Sequence, residues 1–295
     1  MKKTIFKGAG VAIVTPMNND GTVNYDTLEK LIDFQLKSST DAIIVCGTTG
    51  ESATLNQSER NKVIEFTLKQ VNGKIPVIAG SGSNNTETAL RLSKEAEEMG
   101  VDGLLIVTPY YNKTSQSGLI KHYEYIADRV SCPIILYNVP SRTGVNILPQ
   151  TYKHLSLHPN ICAAKEASGD LSAVAKIASL CGDDLDIYSG NDDQILPVLS
   201  LGGIGVISVL SNVCPKECHN MVAEFLKGNI SEAKSLQLKY IDLIDALFCD
   251  VNPVPVKAAL NLMGYSCGEC RMPLGTLSQE SLDKLKNAMV NCGLI

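Results

Sequence analysis

No apolar run in this chain approaches the roughly 18 residues that a membrane-spanning helix needs. The longest runs, such as residues 42–46 and 104–107, have the length of strands. Positive charge is in short supply: 26 Lys and Arg stand against 31 Asp and Glu, a formal net charge of −5. A nucleic-acid partner calls for a basic face, so this balance argues against one. Histidine occurs only at His122, His154, His158 and His219, in helical or loop patterns away from strand ends. That placement argues against a histidine triad or a metal centre. No G-x-G-x-x-G follows the first strand-like run, which argues against a dinucleotide-binding open sheet. Met1-Lys2-Lys3 resembles the start of an export signal, but Lys7 interrupts the apolar stretch and no small-x-small cleavage site follows. The expected location is the cytoplasm, with no membrane association.

Charged residues make up 19% of the 295 positions and apolar ones 44%, too apolar a balance for a disordered chain. Ten cysteines are many for a cytoplasmic protein. Cys214-x3-Cys218 and Cys267-x2-Cys270 have the look of two half-sites for zinc, but the spacing is loose. The simpler reading is free thiols in a reducing compartment, with no metal.

A regular rhythm runs through the chain. Short β-branched runs recur at residues 11–15, 42–46, 76–79, Gly103–Val107, 134–137, 161–164, Asp186–Ser189 and Gly205–Ser208. They are apolar at consecutive positions, as strands buried on both faces are. Amphipathic helices lie between them. Asn24 precedes a helical pattern over 25–36, in which Leu28, Leu31, Ile32 and Gln35 step at helical spacing. Asn56 and Glu59 make a capping box ahead of Gln57–Val71. Thr86–Met99 runs to Gly100, and residues 115–130 and Leu171–Cys181 have the same form. Eight such units predict an α/β fold, a (β/α)8 TIM barrel over residues 1–227. Residues 228–295 read as a C-terminal helical appendage, with helices over 230–247, 255–262 and Gln279–Asn291.

Barrel active sites sit at the C-terminal ends of the strands. Lys165 follows the apolar run 161–164, so its stem must lie against the barrel interior. Burial disfavours the ammonium form, and a neutral amine is what Schiff-base chemistry requires. The alternative is a lysine paired with Glu166. Gly47-Thr48-Thr49-Gly50-Glu51 is a hydroxyl-rich loop able to hold a small carboxylate, or an ordinary capped turn. Tyr137 ends the fifth run beside Lys165 and has the place of a proton carrier or of a barrel-capping ring. Arg142 offers a fork for a second carboxylate. Lys257, at the start of an appendage helix, reads as a surface or structural lysine.

Three of these segments together resemble the signatures of the dihydrodipicolinate synthase family of pyruvate-dependent class I aldolases. They are Gly47-Thr48-Thr49-Gly50-Glu51, Tyr137-Asn138-Val139-Pro140-Ser141-Arg142-Thr143-Gly144 and Lys165-Glu166-Ala167-Ser168-Gly169-Asp170. The resemblance extends over essentially the whole chain. It implies condensation of pyruvate with L-aspartate 4-semialdehyde, the committed step toward diaminopimelate and lysine, through a covalent imine on Lys165 and without a cofactor. It makes Tyr137 the general acid/base and Thr48 and Tyr111 its relay, Tyr111 reaching in from a neighbouring subunit. It gives the pyruvate carboxylate to Thr49 and the Ile207 backbone, the acceptor carboxylate to Arg142, and a lining position to Gly190. It also implies a homotetramer built as a dimer of dimers, with a dimer as the minimum. Ser52, Ala53, Asn84 and Tyr110 match a lysine-inhibition site of the family. Gln57 and Arg60 stand where inhibited bacterial members carry histidines, and Thr88 where they carry a glutamate, so weak or absent lysine inhibition is expected.

Two rival readings remain. One is a sugar-acid enzyme of the same superfamily, such as an N-acetylneuraminate lyase or a 2-keto-3-deoxy sugar-acid aldolase. Thr48-Thr49 in place of a Ser-Thr pair, and the presence of Arg142, count against it. The other is a catalytically silent metabolite-binding barrel. Retention of Lys165, Tyr137 and Thr48 counts against that.

Overall fold

The computed structural model describes residues 2–295. Eight parallel strands close into a barrel in sequence order. They are β1 (Gly8–Ala12), β2 (Ala42–Val45), β3 (Val77–Gly80), β4 (Gly103–Val107), β5 (Ile134–Asn138), β6 (Ile161–Glu166), β7 (Asp186–Ser189) and β8 (Gly205–Ser208). Helices connect successive strands and pack outside. Beyond β8, helix Pro215–Leu226 completes the outer ring, and the helices from Ile230 to Asn291 follow.

The strands are apolar on both faces because each face meets a different core. One face fills the barrel with Ile44, Leu105, Ile135, Ala163, Tyr188 and Ile207. The other packs under the helices with Ile43, Leu104, Ile134, Ala164 and Val206. Phe6 plugs the N-terminal end, stacked on Tyr188 at 4.4 Å between centroids. The Tyr188 hydroxyl donates to the Phe6 carbonyl at 2.7 Å. A Cβ on Gly10 would come within 2.8 Å of the Phe6 ring and 2.7 Å of Ile44 Cδ1. Glycine there is the condition for the plug.

This plug bears on β1, the strand displaced furthest from its expected place. The apolar run 11–15 predicts a strand that begins after Gly10, whereas β1 spans Gly8–Ala12. The glycines of β1 face a space already filled by other side chains, so low strand propensity is tolerated. Past Ile13, whose N–H still donates to the Ile44 carbonyl of β2, the chain bonds elsewhere: Val14 N–H donates to the Asn212 side chain and Thr15 Oγ1 to the Gly50 carbonyl. Conversely, β6 extends past Ala164 and includes Lys165 and Glu166. The predicted helix over 230–247 is two helices, Ile230–Lys239 and Ile241–Leu247, broken at buried Tyr240.

The helix starts follow their local signals. The Asn24 side chain caps helix Tyr25–Lys37, and Asn56 with Glu59 forms the reciprocal capping box. Gly100 takes the left-handed conformation at φ 89° that ends helix Thr86–Met99.

Among the described residues, no helix is long and apolar enough to cross a membrane. Nor does any group of three or more His, Cys, Asp or Glu assemble that could hold a metal ion. All ten cysteines are free. Burial pushes the Cys218 and Cys267 thiols up to about 12, so they stay protonated.

His122, on helix Gln116–Ala127, is buried with Nδ1 2.9 Å from Thr86 Oγ1. Burial pushes its pKa down to about 4. In the unfolded chain a histidine titrates near 6.5. The stability it contributes is therefore whole above pH 6.5 and is lost as pH falls toward 4. His122→Gln is expected to remove about 2 kcal/mol of the stability difference between pH 7 and pH 5. Urea midpoints at the two pH values read this directly. An unchanged difference in the variant would refute it.

Candidate active site

The C-terminal ends of the strands surround a cavity of about 190 Å³. Its wall includes Thr48 and Thr49 after β2, Tyr137 on β5, Arg142 beyond it, Lys165 on β6 and Gly190 after β7.

Strand register puts Lys165 there. On β6, Ala163 points into the barrel, so Lys165, two residues on, shares its face. Parallel pairing sets Lys165 beside Tyr137 on one side and Tyr188 on the other. Lys165 is 6% exposed, and its Nζ lies 4.4 Å from the centroid of the Tyr137 ring. Glu166 faces the opposite side. Its carboxylate accepts from the Tyr152 hydroxyl at 2.7 Å, the Asn138 amide at 3.1 Å and the Ser168 N–H at 2.8 Å. The pairing of Lys165 with Glu166 is thus ruled out by strand alternation. Lys165 forms no ion pair among the described residues.

The Gly47–Glu51 loop is held from beneath. Cys46 and Glu51 adopt positive φ, each 54°. Glu51 is buried and paired with Lys257, Nζ to Oε1 at 2.8 Å. Lys257 is 1% exposed, so its role is structural and it is no surface lysine. Asp192 anchors the β8 side of the mouth: its Oδ2 accepts from the Val209 and Leu210 N–H groups at 3.0 and 2.9 Å. Burial raises the Asp192 pKa.

The remaining predicted residues lie apart from the cavity wall. Ile207 is fully buried in the barrel interior. Tyr111 is 90% exposed on the loop after β4 and Tyr110 is 38% exposed. Ser52 and Ala53 lie in the turn after Glu51, and the Asn84 carbonyl accepts from the Asn112 side chain at 3.0 Å. Two residues that sequence reasoning did not single out reach the mouth from the helical tail: Phe248 and Asn252. The local pattern around Phe248 carries no signal. Only Asn252, a lone amide in an apolar stretch ahead of Pro253, offers a faint one.

A lysine amine beside a phenol, a hydroxyl loop and a guanidinium in one pocket suits imine chemistry on a small keto acid. Residues 5–291 match the dihydrodipicolinate synthetase family. The chain belongs to that family. A 4-hydroxy-tetrahydrodipicolinate synthase of Caldicellulosiruptor saccharolyticus is 57% identical over 290 residues, covering 98% of each chain. The chloride-inhibited dihydrodipicolinate synthase from Acinetobacter baumannii, complexed with pyruvate, aligns with a TM-score of 0.97. It is 41% identical over 99% of this chain and 100% of that one. The enzyme from Cyanidioschyzon merolae with lysine bound aligns with a TM-score of 0.96 and 43% identity, over 99% of this chain and 100% of that one.

Within this pocket, Gly190 leaves no room for a side chain. A Cβ there would sit 2.6 Å from Ala167 Cβ and 3.1 Å from Lys165 Cε. Gly190→Ala is expected to displace the lysine stem and lower kcat by about 10²-fold. A melting temperature close to that of wild type would show that the damage is local. Turnover within a factor of two of wild type would refute this account.

Proposed function

We propose that the protein condenses pyruvate with L-aspartate 4-semialdehyde to 4-hydroxy-tetrahydrodipicolinate, in the diaminopimelate and lysine route. The observation that carries this reading is the buried Lys165, free of any carboxylate partner among the described residues, with Nζ 4.4 Å from the Tyr137 ring centroid. Lys165 Nζ adds to the C2 carbonyl of pyruvate, and loss of water leaves a protonated imine. The imine acidifies the adjacent methyl group, and Tyr137 carries the proton away. The resulting enamine attacks the aldehyde carbon of the acceptor. The acceptor's amino group then closes the ring on the imine carbon and frees Lys165. The imine is the electron sink, which is the work an organic cofactor or a metal would otherwise do.

In this reading Thr48 relays protons with Tyr137, and Thr49 with the Ile207 backbone holds the pyruvate carboxylate. Arg142 takes the carboxylate of the acceptor. Tyr111, exposed on its own subunit, completes the relay of a second copy, which makes a dimer the minimum and a dimer of dimers the expected assembly. Residues 1–227 form the catalytic barrel and 228–295 a helical domain packed on it, in the cytoplasm.

The test is pyruvate consumption with and without the semialdehyde. Consumption that requires both substrates supports the reading. Consumption only with sialic acid or 2-keto-3-deoxygluconate would replace it with a sugar-acid aldolase.

Lysine is expected to inhibit weakly or not at all. Arg60 is buried without a carboxylate partner among the described residues, and a lysine ammonium nearby would meet its charge. The Gln57 carbonyl oxygen is already taken by Arg91 Nη1 at 2.7 Å. Lysine at about 1 mM, a weak-binding concentration, should leave most of the turnover. Abolition at that concentration would refute the expectation.

A further inference from the structure

Asn252 is the residue of the helical tail most deeply engaged with the site. It lies just before helix Val254–Leu262, is 5% exposed and lines the cavity. Its Nδ2 donates to Thr49 Oγ1 at 2.9 Å. Its backbone carbonyl accepts from Arg142 Nη2 at 3.3 Å. Its Oδ1 is buried without a partner among the described residues. In this arrangement the amide donor faces Thr49.

A hydroxyl is both donor and acceptor, and its proton turns to suit its neighbours. With Nδ2 already donating to Thr49 Oγ1, the Thr49 proton cannot point back at Asn252. Among the described residues the Thr49 hydroxyl has no other side-chain partner. Its O–H is left to be donated into the cavity, and an anionic oxygen is the acceptor it suits best.

We propose that Asn252 is a positioning residue that sets the Thr49 hydroxyl as a donor to the carboxylate of the keto acid. The proposal rests on the pyruvate reading above and deepens it. The contact with Arg142 uses the backbone carbonyl, so it survives a change of side chain. Loss of the Asn252 amide should therefore weaken the keto acid and spare the acceptor.

The experiment is a double-mutant cycle on Asn252→Ala, Thr49→Val and the pair, read by KM for each substrate and by kcat. Asn252→Ala is expected to raise the pyruvate KM about tenfold, the usual scale for a hydrogen bond to a charged group. The semialdehyde KM should stay within a factor of two. Thr49→Val should cost a similar amount, and the double variant should be no worse than the worse single. Asn252→Asp keeps the shape but accepts the Thr49 proton, so its pyruvate KM should rise at least as far. It also serves where the alanine variant does not fold. Effects that multiply in the double variant, or that raise both KM values alike, would overturn the proposal. Half-saturation of borohydride trapping on Lys165 measures pyruvate binding without any acceptor. If wild type traps pyruvate but does not use the semialdehyde, the functional reading fails while this inference is still judged by the trapping curves. Absence of trapping in wild type overturns both.

Discussion

Lys165→Ala is expected to abolish turnover, by about 10³-fold or more, while leaving the barrel folded. Removing a covalent nucleophile takes away a whole reaction path, and neighbouring groups cannot replace it. The residue sits where a shorter side chain is tolerated, because it lines the cavity at the barrel mouth and its removal only enlarges a space already present. No ion pair is broken by the change among the described residues. Lys165→Arg separates charge from chemistry. It restores the cation but not an amine that can form an imine, so it should be as inactive as alanine. Borohydride in the presence of pyruvate should fix one pyruvate adduct per chain on wild type and none on either variant. Residual activity above a few per cent in Lys165→Ala would place the imine on another amine. The other buried lysine of this region, Lys257, is sequestered by Glu51 and by the Glu269 carbonyl, each at 2.8 Å.

That second lysine carries the other large effect, on stability. Lys257 and Glu51 form an ion pair at 2% and 0% side-chain exposure. Each partner has further bonds. Glu51 Oε2 accepts from the Arg271 N–H at 2.9 Å, and Arg271 itself holds Glu59 and the carbonyls of Gly21 and Thr54. Lys257→Met would leave the Glu51 carboxylate buried without its cation. Breaking a buried pair from one side costs about 3–5 kcal/mol. For a chain of this size that lowers the melting temperature by about 5–15 °C. Glu51→Gln added to Lys257→Met removes the stranded charge and should recover part of the loss. The measurement is a thermal melt of the three variants beside wild type. A single variant within about 2 °C of wild type would show that water reaches the carboxylate. A lower kcat in the double variant would be a further consequence, because the same pair carries the Thr48-Thr49 loop.

Sequence and structure divide the explanation between them according to distance along the chain. The strand runs, the Asn56–Glu59 capping box and the Gly100 helix end depend on neighbours within a few residues. The sequence therefore determined them, and with them the barrel and its closure. Lys165 was legible for the same reason: four apolar residues ahead of a lysine announce an amine at a strand end. The start of β1 was not, because its two glycines are dictated by side chains that the fold brings against them: Gly8 by the Asp41 carboxylate, Gly10 by Phe6 and Ile44. The break at Tyr240 was hidden as well, since helical spacing continues through it. Lys257 looked like an ordinary helix lysine until Glu51, 206 residues away, was brought to 2.8 Å. Asn252 acquired its meaning through Thr49, 203 residues away. Periodicity and capping are local and can be read in order; the pairing of buried polar groups is decided only when closure of the barrel and docking of the tail exclude the water that would otherwise satisfy them.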